Sequence, residues 1–342
     1  MELAARKQKI LSAIIESYIN TGEPVGSKTL ISEAGLDVSS ATVRNEMADL
    51  TNRGYLIQPH TSAGRIPTRQ AYRYYFDNIL NLTPVSEHGK DYIMSVLSEN
   101  AASPEIILQT AAELISKLTG YVAVATTPSG ENSRVHKISL VQTGTHTAMA
   151  VVIASNGIIK TTLFRCEFLI TPEILEIFDK ALNETFAGVR LSSINQPFIQ
   201  TVAAGFGELS LFMPGVLMAI KEACERAKNV SVCNSGLTKL LFMSDISFQS
   251  ARSVVEFLND EHDLAKMLEN LPLDTAVTIG DENSRVELIT STVASTRYEV
   301  EANPSGVLAV FAPLRMNYAK VIPVLECVAE CVGTLIGELV EI

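Results

Sequence analysis

The 342-residue chain is 47% hydrophobic and 19% charged, which suits two or three packed domains and excludes a disordered polymer. No uninterrupted apolar run reaches the roughly 18 residues of a membrane span, and Ser12, Glu16 and Ser17 break the apolar stretch near the N-terminus, so a cytoplasmic protein without a membrane partner is expected. The net charge of −11 is uneven: residues 1–80 hold nine Lys/Arg against eight Asp/Glu, while the rest carries −12, so any DNA contact should fall on the head.

The first segment places Ile10, Leu11, Ile14, Ile15 and Tyr18 on one helical stripe, which Gly22 and Pro24 end. Ser27 can cap a short second helix that stops at Gly35. A tight connection, "LDVS", leads to a third helix starting at Ser39 or Ser40 and running to Arg53. A strand "YLIQ" follows, then the loop "QPHTSAGRIPT" at 58–68, then a helix capped by Thr68. Three short helices, a strand, a loop and a further segment make the order of a winged helix-turn-helix.

Polar residues 83–90 form a candidate linker, followed by a helical tract over about 91–119. The β-branched runs "YVAVATT", "KISLVQT", "TAMAVVIA" and "GIIKTTLF" predict an antiparallel meander with turns near Gly144 and Asn156-Gly157. Helices dominate from about Pro172 to Asn270, strands return at "TAVTIG", "RVELITST" and "GVLAVFAP", and a long helix closes the chain. Strands, helices and strands again suggest one α/β sensor-type domain carrying an insertion.

In the third helix, Val43, Met47 and Leu50 form the stripe to be buried, and the opposite face carries Ala41, Asn45, Ala48 and Asn52, flanked by Thr42, Arg44 and Asp49. Small residues at Ala41 and Ala48 would let this helix lie deep in a major groove. Asn45 can pair with adenine, and Arg44 with guanine or a phosphate. Ser39, Ser40 and the free N–H groups at the helix start suit a phosphate. The same pattern fits an ordinary amphipathic surface helix, and Asp49 counts against DNA. In the loop, Gly64 permits a tight turn from whose tip Arg65 would project into a narrow minor groove, with His60, Thr61 and Ser62 as donors to phosphate. For His60 a satisfied histidine on a solvated hairpin is the simpler expectation. Arg69 and Arg73, four apart, could neutralise phosphate, while Tyr72, Tyr75, Phe76 and Ile79 fall at helical spacing and should pack in a core or between domains.

The segments "TGEPVGSKTL", "SSATVRNEMADL", "GYLIQPHTSAGRIPT" and "YRYYFD", in this order, resemble the N-terminal domain of the HrcA family of bacterial heat-inducible transcription repressors. The sequence departs from that pattern at Lys28, which stands where the family often has Arg, at "TNR" (51–53) and at "RQA" (69–71). The resemblance adds Lys28 to the candidate DNA contacts. It implies a multidomain α+β chain: a winged helix over 1–82, then a GAF-like domain over 83–169 and 246–342, interrupted by a dimerisation domain at about 170–245. It further implies a homodimer on an inverted-repeat operator of the CIRCE type, repressing chaperone operons and kept active by a GroEL-type chaperonin. The alternative is a regulator that senses a metabolite through the GAF-like domain.

No cofactor or metal is expected. His60, His88, His136, His146 and His262 never take metal-ligand spacing, and no GxSxG, Walker or GxGxxG motif occurs, so an enzyme is disfavoured. His136 and His146 should be structural. The five scattered cysteines suit buried thiols rather than disulfides, Cys327 and Cys331 included.

Overall fold

The structure, a computed structural model, describes residues 3–34, 39–60, 63–130, 132–207, 213–243, 245–300 and 303–340. The head opens with α1 (Ala5–Thr21), α2 (Ser27–Ala34) and α3 (Ser40–Asn52). Helix α1 buries Ile10, Leu11, Ile14 and Ile15 and ends at Gly22, whose φ of 72° lets its N–H reach Tyr18 O. That left-handed residue satisfies a carbonyl of the last turn. The connection from α2 to α3 lies largely outside the described residues. Two-residue strands β1 (Leu56–Ile57) and β2 (Ile66–Pro67) pair antiparallel, and α4 (Arg69–Asn78) follows, its Thr68 cap accepting the Ala71 N–H. The strand expected at "YLIQ" is therefore short, and a third piece missing from the sequence reading joins it: Val25, between α1 and α2, bridges antiparallel to Arg65.

Beyond the head come α5 (Glu87–Ser98), α6 (Pro104–Thr119) and β3 (Val122–Thr126). Ser86 caps α5, so the expected linker at 83–90 is helical from Glu87 onward, and the single tract expected over 91–119 is two helices. Next are β4 (Val135–Gln142), β5 (Thr147–Ala154), β6 (Ile159–Arg165), α7 (Pro172–Phe186), α8 (Gln196–Gly205) and α9 (Pro214–Lys228). The chain returns through β7 (Val232–Ser235), α10 (Phe248–Asn259), α11 (Glu261–Glu269), β8 (Ala276–Ile279), β9 (Ser291–Val300) and β10 (Asn303–Pro313), and closes with α12 (Tyr318–Val340).

Among the described residues there are two larger sheets, both antiparallel. One has five strands in the order β7-β3-β10-β9-β8, and the other is the three-stranded meander β4-β5-β6. The four-stranded meander expected from sequence loses its first member to the larger sheet. Alternation along the strands explains how that sheet is covered. Ala123, Ala125, Ala294, Leu308 and Val310 face a core shared with α5, α6, α12 and the head. Val122, Val124, Val293, Ala309 and Phe311 face a second core built with α10 and α11. A third core joins β4, β5 and β6 to α7, α8 and α9. These cores divide the chain differently from the expected insert at 170–245. The meander, expected to precede the insert, shares its interior with α7–α9, because its apolar face (Ile138, Leu140, Ala148, Ala150, Val152) is covered by those helices.

Cys224 and Cys331 are fully buried, and burial pushes their thiols up, to about 12 and about 11. His146 Nδ1 lies 3.0 Å from Phe168 O, the satisfied structural histidine that its position on the meander suggested.

Candidate nucleic-acid interface

Helix α3 is positioned by its apolar stripe: Val43, Met47 and Leu50 are buried against α1 and α2. The opposite face, with Ala41, Arg44, Asn45, Ala48 and Asn52, is exposed, as helical periodicity required. Ser39 caps the helix, its hydroxyl accepting the Thr42 N–H at 3.2 Å and lying 2.9 Å from Thr42 Oγ1. Ser40 Oγ sits 3.3 Å from Ser27 Oγ, which ties α2 to the start of α3. Ser39 and Ser40, the two hydroxyls of the helix start expected to meet phosphate, thus already organise it, together with Thr42. The exposed Lys28, Arg44 and Asn45 have no hydrogen bond or ion pair among the described residues.

The acidic residues of α3 are turned away from that face. Asp49 receives Lys7 Nζ at 2.6 Å and Arg53 Nε at 2.9 Å, and Glu46 receives Arg6 Nη2 at 2.9 Å. The hydrogen bond from Lys7 is the main reason that the Asp49 carboxyl is held below its usual range, with the Arg53 charge assisting. Asp49, which counted against DNA on sequence alone, is neutralised by Arg53 and by Lys7 of α1, which no motif singled out. Its objection is weakened.

The loop after α3 differs from its expected form in two respects. Arg65 is not at the tip. Its backbone N–H and C=O pair with Val25, both at 2.9 Å, and its Nε donates to Thr51 Oγ1 at 3.1 Å. Thr51 in turn donates to Met47 O at 2.8 Å, so the guanidinium lies at the base of the hairpin against α3. Gly64 also serves a purpose other than a left-handed turn. A Cβ there would fall 2.4 Å from Val25 O and 2.7 Å from Pro24 O, so the missing side chain is what lets the hairpin approach the α1–α2 connection. Gln58 Nε2 donates to Ala63 O at 3.0 Å and closes the loop, with His60 exposed beside it. Thr61 and Ser62 lie outside the described residues.

Arg69 and Arg73 point the other way. Arg69 Nη1 is 2.7 Å from Asp281 Oδ1, and Arg73 donates to Glu282 through Nε at 2.9 Å and through Nη2, while Nη2 also meets Val277 O and Nη1 meets Asp77. Burial alone would lower the Arg73 pKa, but the bonds and charges of Glu282 and Asp77 together outweigh it and raise the value. The phosphate role expected for these two arginines is therefore not what their side chains do here. They join the head to the loop after β8. Nothing in the spacing of α4 names a partner 200 residues away.

Aromatic packing completes that junction. Tyr72 and Phe76 stack against Tyr318 with ring centroids 6.0 and 6.3 Å apart, and Tyr72 is 2% exposed. Arg315 adds a link from the body to Ile19 O at the end of α1. Tyr72 and Phe76 thus pack between two parts of the chain, and Tyr75 is buried beside Glu16 of α1, as their spacing indicated. Beside this junction runs an open cleft of about 670 Å³ with a mixed lining that includes Gln8, Lys9, Glu16, Ile79, Leu80 and Asn317.

The family model described as "HrcA protein C terminal domain" matches residues 105–322. The heat-inducible transcription repressor HrcA of Moorella thermoacetica is 30% identical over 342 residues, which cover 99% of each chain. That of Clostridium perfringens strain ATCC 13124 is 32% identical over 323 residues, 94% of this chain and 95% of the relative. A crystal structure of a hypothetical protein at 2.2 Å superposes with a TM-score of 0.74 at 24% identity, covering 99% of this chain and all of the other, and so shares its fold. With a family match over more than half its length and relatives aligned nearly end to end, this chain belongs to the HrcA family of heat-inducible transcription repressors.

Proposed function

We propose that the protein is a non-enzymatic, DNA-binding repressor whose head is a winged helix-turn-helix reading a CIRCE-type inverted repeat as a homodimer. The observation that carries this reading is the exposed face of α3. It offers an amide and a guanidinium between two alanines, with the neighbouring carboxylates drawn back onto Lys7, Arg6 and Arg53. Asn45 and Arg44 read base edges; Lys28 and the start of α3 meet phosphate. Arg65 braces the wing from below instead of entering the minor groove. One α3 per subunit meets one half-site, so a two-fold protein matches a two-fold operator.

The five-stranded sheet and its helices correspond to the GAF-like domain. The unit between β3 and β7, from about residue 128 to 230, corresponds to the inserted dimerisation domain, and its meander and helices form one separate core in support of that division. Both faces of the larger sheet are covered mainly by apolar side chains, with a few buried hydroxyls on β3 and β9, which favours a scaffold over a metabolite pocket within it. A GroEL-type chaperonin keeps the repressor active, as the family resemblance implies.

The test is fluorescence anisotropy of a labelled inverted-repeat duplex at a fixed, stated salt concentration, with a scrambled duplex as control and chaperonin present or absent. Specific binding that chaperonin strengthens is the expected result. Equal affinity for both duplexes by the folded protein would overturn the operator reading, and indifference to chaperonin would remove that partner alone.

A further inference from the structure

The turn after β8 is built to receive two arginines. Gly280 has φ 63°, and a Cβ on it would lie 2.2 Å from Arg69 Cδ, so the arginine stem packs where a side chain would otherwise stand. Glu282 is fixed from behind, its Oε2 accepting the Ile279 N–H at 2.8 Å. Asn283 holds the turn by donating to Gly280 O, Leu288 O and Ser291 O at 2.9 to 3.0 Å, while its Oδ1 accepts from Thr278 Oγ1 at 2.7 Å. Glu282 and the turn itself are thus held by bonds within the body.

Two kinds of contact join head and body, and they do different work. Stacking of Tyr72 and Phe76 on Tyr318 provides most of the attraction, because buried aromatic area contributes more than partly exposed ion pairs do. That attraction is weakly directional and would tolerate rotation about the aromatic contact. A forked guanidinium on a carboxylate has a fixed geometry. Arg73 on Glu282 and Arg69 on Asp281 meet neighbouring carboxylates of one turn, Arg315 meets Ile19 O at the end of α1, and together these contacts constrain the angle of the aromatic contact.

We infer that Asp281 and Glu282 are positioning residues for operator recognition: by seating Arg69 and Arg73 they set the orientation of the head on the body, and so the separation and phase of the two α3 helices in the dimer. This inference rests on the dimeric DNA-binding reading above. Neither carboxylate touches DNA. Each acts through an arginine of α4, and the property it controls is tolerance to half-site spacing.

The experiment is a spacer series of labelled inverted-repeat duplexes, the half-sites moved apart by single base pairs through half a helical turn, about five base pairs. A single half-site duplex is measured alongside. The full-length protein is compared with the double variant Asp281→Asn/Glu282→Gln and with Asp77→Asn, which removes only the partner of Arg73 within α4. Wild type and Asp77→Asn should show a sharp optimum. The double variant should bind the optimal duplex about threefold to tenfold more weakly, keep its half-site affinity, and discriminate less between spacings. An unchanged spacing profile in the double variant would overturn the inference while leaving the repressor reading intact. An equal loss on the half-site duplex would also overturn it, since the carboxylates would then act on the head itself. A wild-type protein indifferent to the repeat would instead remove the dimeric reading beneath it.

Discussion

Helices α3 and α4 make an instructive pair. Each is a short helix of the head, α3 with Arg44 and α4 with Arg69 and Arg73, and each invites a phosphate contact when read as sequence. In the folded chain their basic residues have opposite fates. Arg44 of α3 faces solvent, whereas Arg69 and Arg73 of α4 are held by carboxylates of the body. What separates them is the company the arginines keep. The outward face of α3 carries alanines and amides, with nothing to bury. The outward face of α4 carries Tyr72 and Phe76, whose apolar surface must find a cover, and the arginines follow the rings to whatever provides it. A basic stripe says that an anion is wanted. The apolar residues beside it say whether that anion belongs to the same chain.

Removing the cover tests the contrast most severely. Tyr318→Ala should cost about 3–5 kcal/mol of stability, read from chemical denaturation, since it opens a cavity against Tyr72 and Phe76 and loses the hydroxyl bond to Leu314 O. A loss below about 1 kcal/mol would mean that the rings of α4 are not anchored on the body. On the α3 side, Asn45→Ala should weaken operator binding by about 1–3 kcal/mol and relax base preference, with no change in thermal midpoint. Equal weakening on scrambled DNA would reassign Asn45 from base reading to backbone contact.

Gly64→Ala probes the hairpin that neighbours both helices. Its Cβ would press on Val25 O, so a stability loss of about 1–2 kcal/mol is expected, again by denaturation, together with weaker operator binding. The smallest effect concerns pH. Asp49 has a depressed folded pKa, so its pairing with Lys7 contributes fully above the ordinary value of 3.8 and is lost as pH falls below that through the lower folded value. In Lys7→Ala the Asp49 titration, followed by NMR, should move back up toward the ordinary value. An unmoved titration would mean that Arg53 alone holds the carboxylate.

Local signals were the most legible. The buried stripes of α1 and α3, the caps at Ser39 and Thr68, the stop at Gly22 and the packing role of Tyr72 and Phe76 all follow from spacing within a dozen residues. What sequence left hidden is long-range pairing. The bridge of Val25 to the hairpin, Lys7 on Asp49, and Glu282 on Arg73 each join residues whose separation no periodicity records. The geometry at Gly64 and Arg65 is hidden for the same reason: the tight approach belongs to a neighbouring segment, not to the turn itself. The meander could not be assigned to its core from its own pattern, because alternating strands show that one face is buried and not what buries it.

The ladder between β3 and β7 has a consequence for how such a chain can vary. These strands pair antiparallel, Ala123 opposite Ser235 and Thr126 opposite Val232, and the ladder extends by one bond from the Thr127 N–H to Ser231 O. To the larger sheet they are the two arms of a hairpin whose turn has been replaced by the whole segment from 128 to 230. A folded guest with adjacent ends costs its host little more in closure entropy than an ordinary turn does. Lineages of this architecture are therefore free to lengthen, shorten or redesign the guest while the host sheet, and the head seated on it, keep their register.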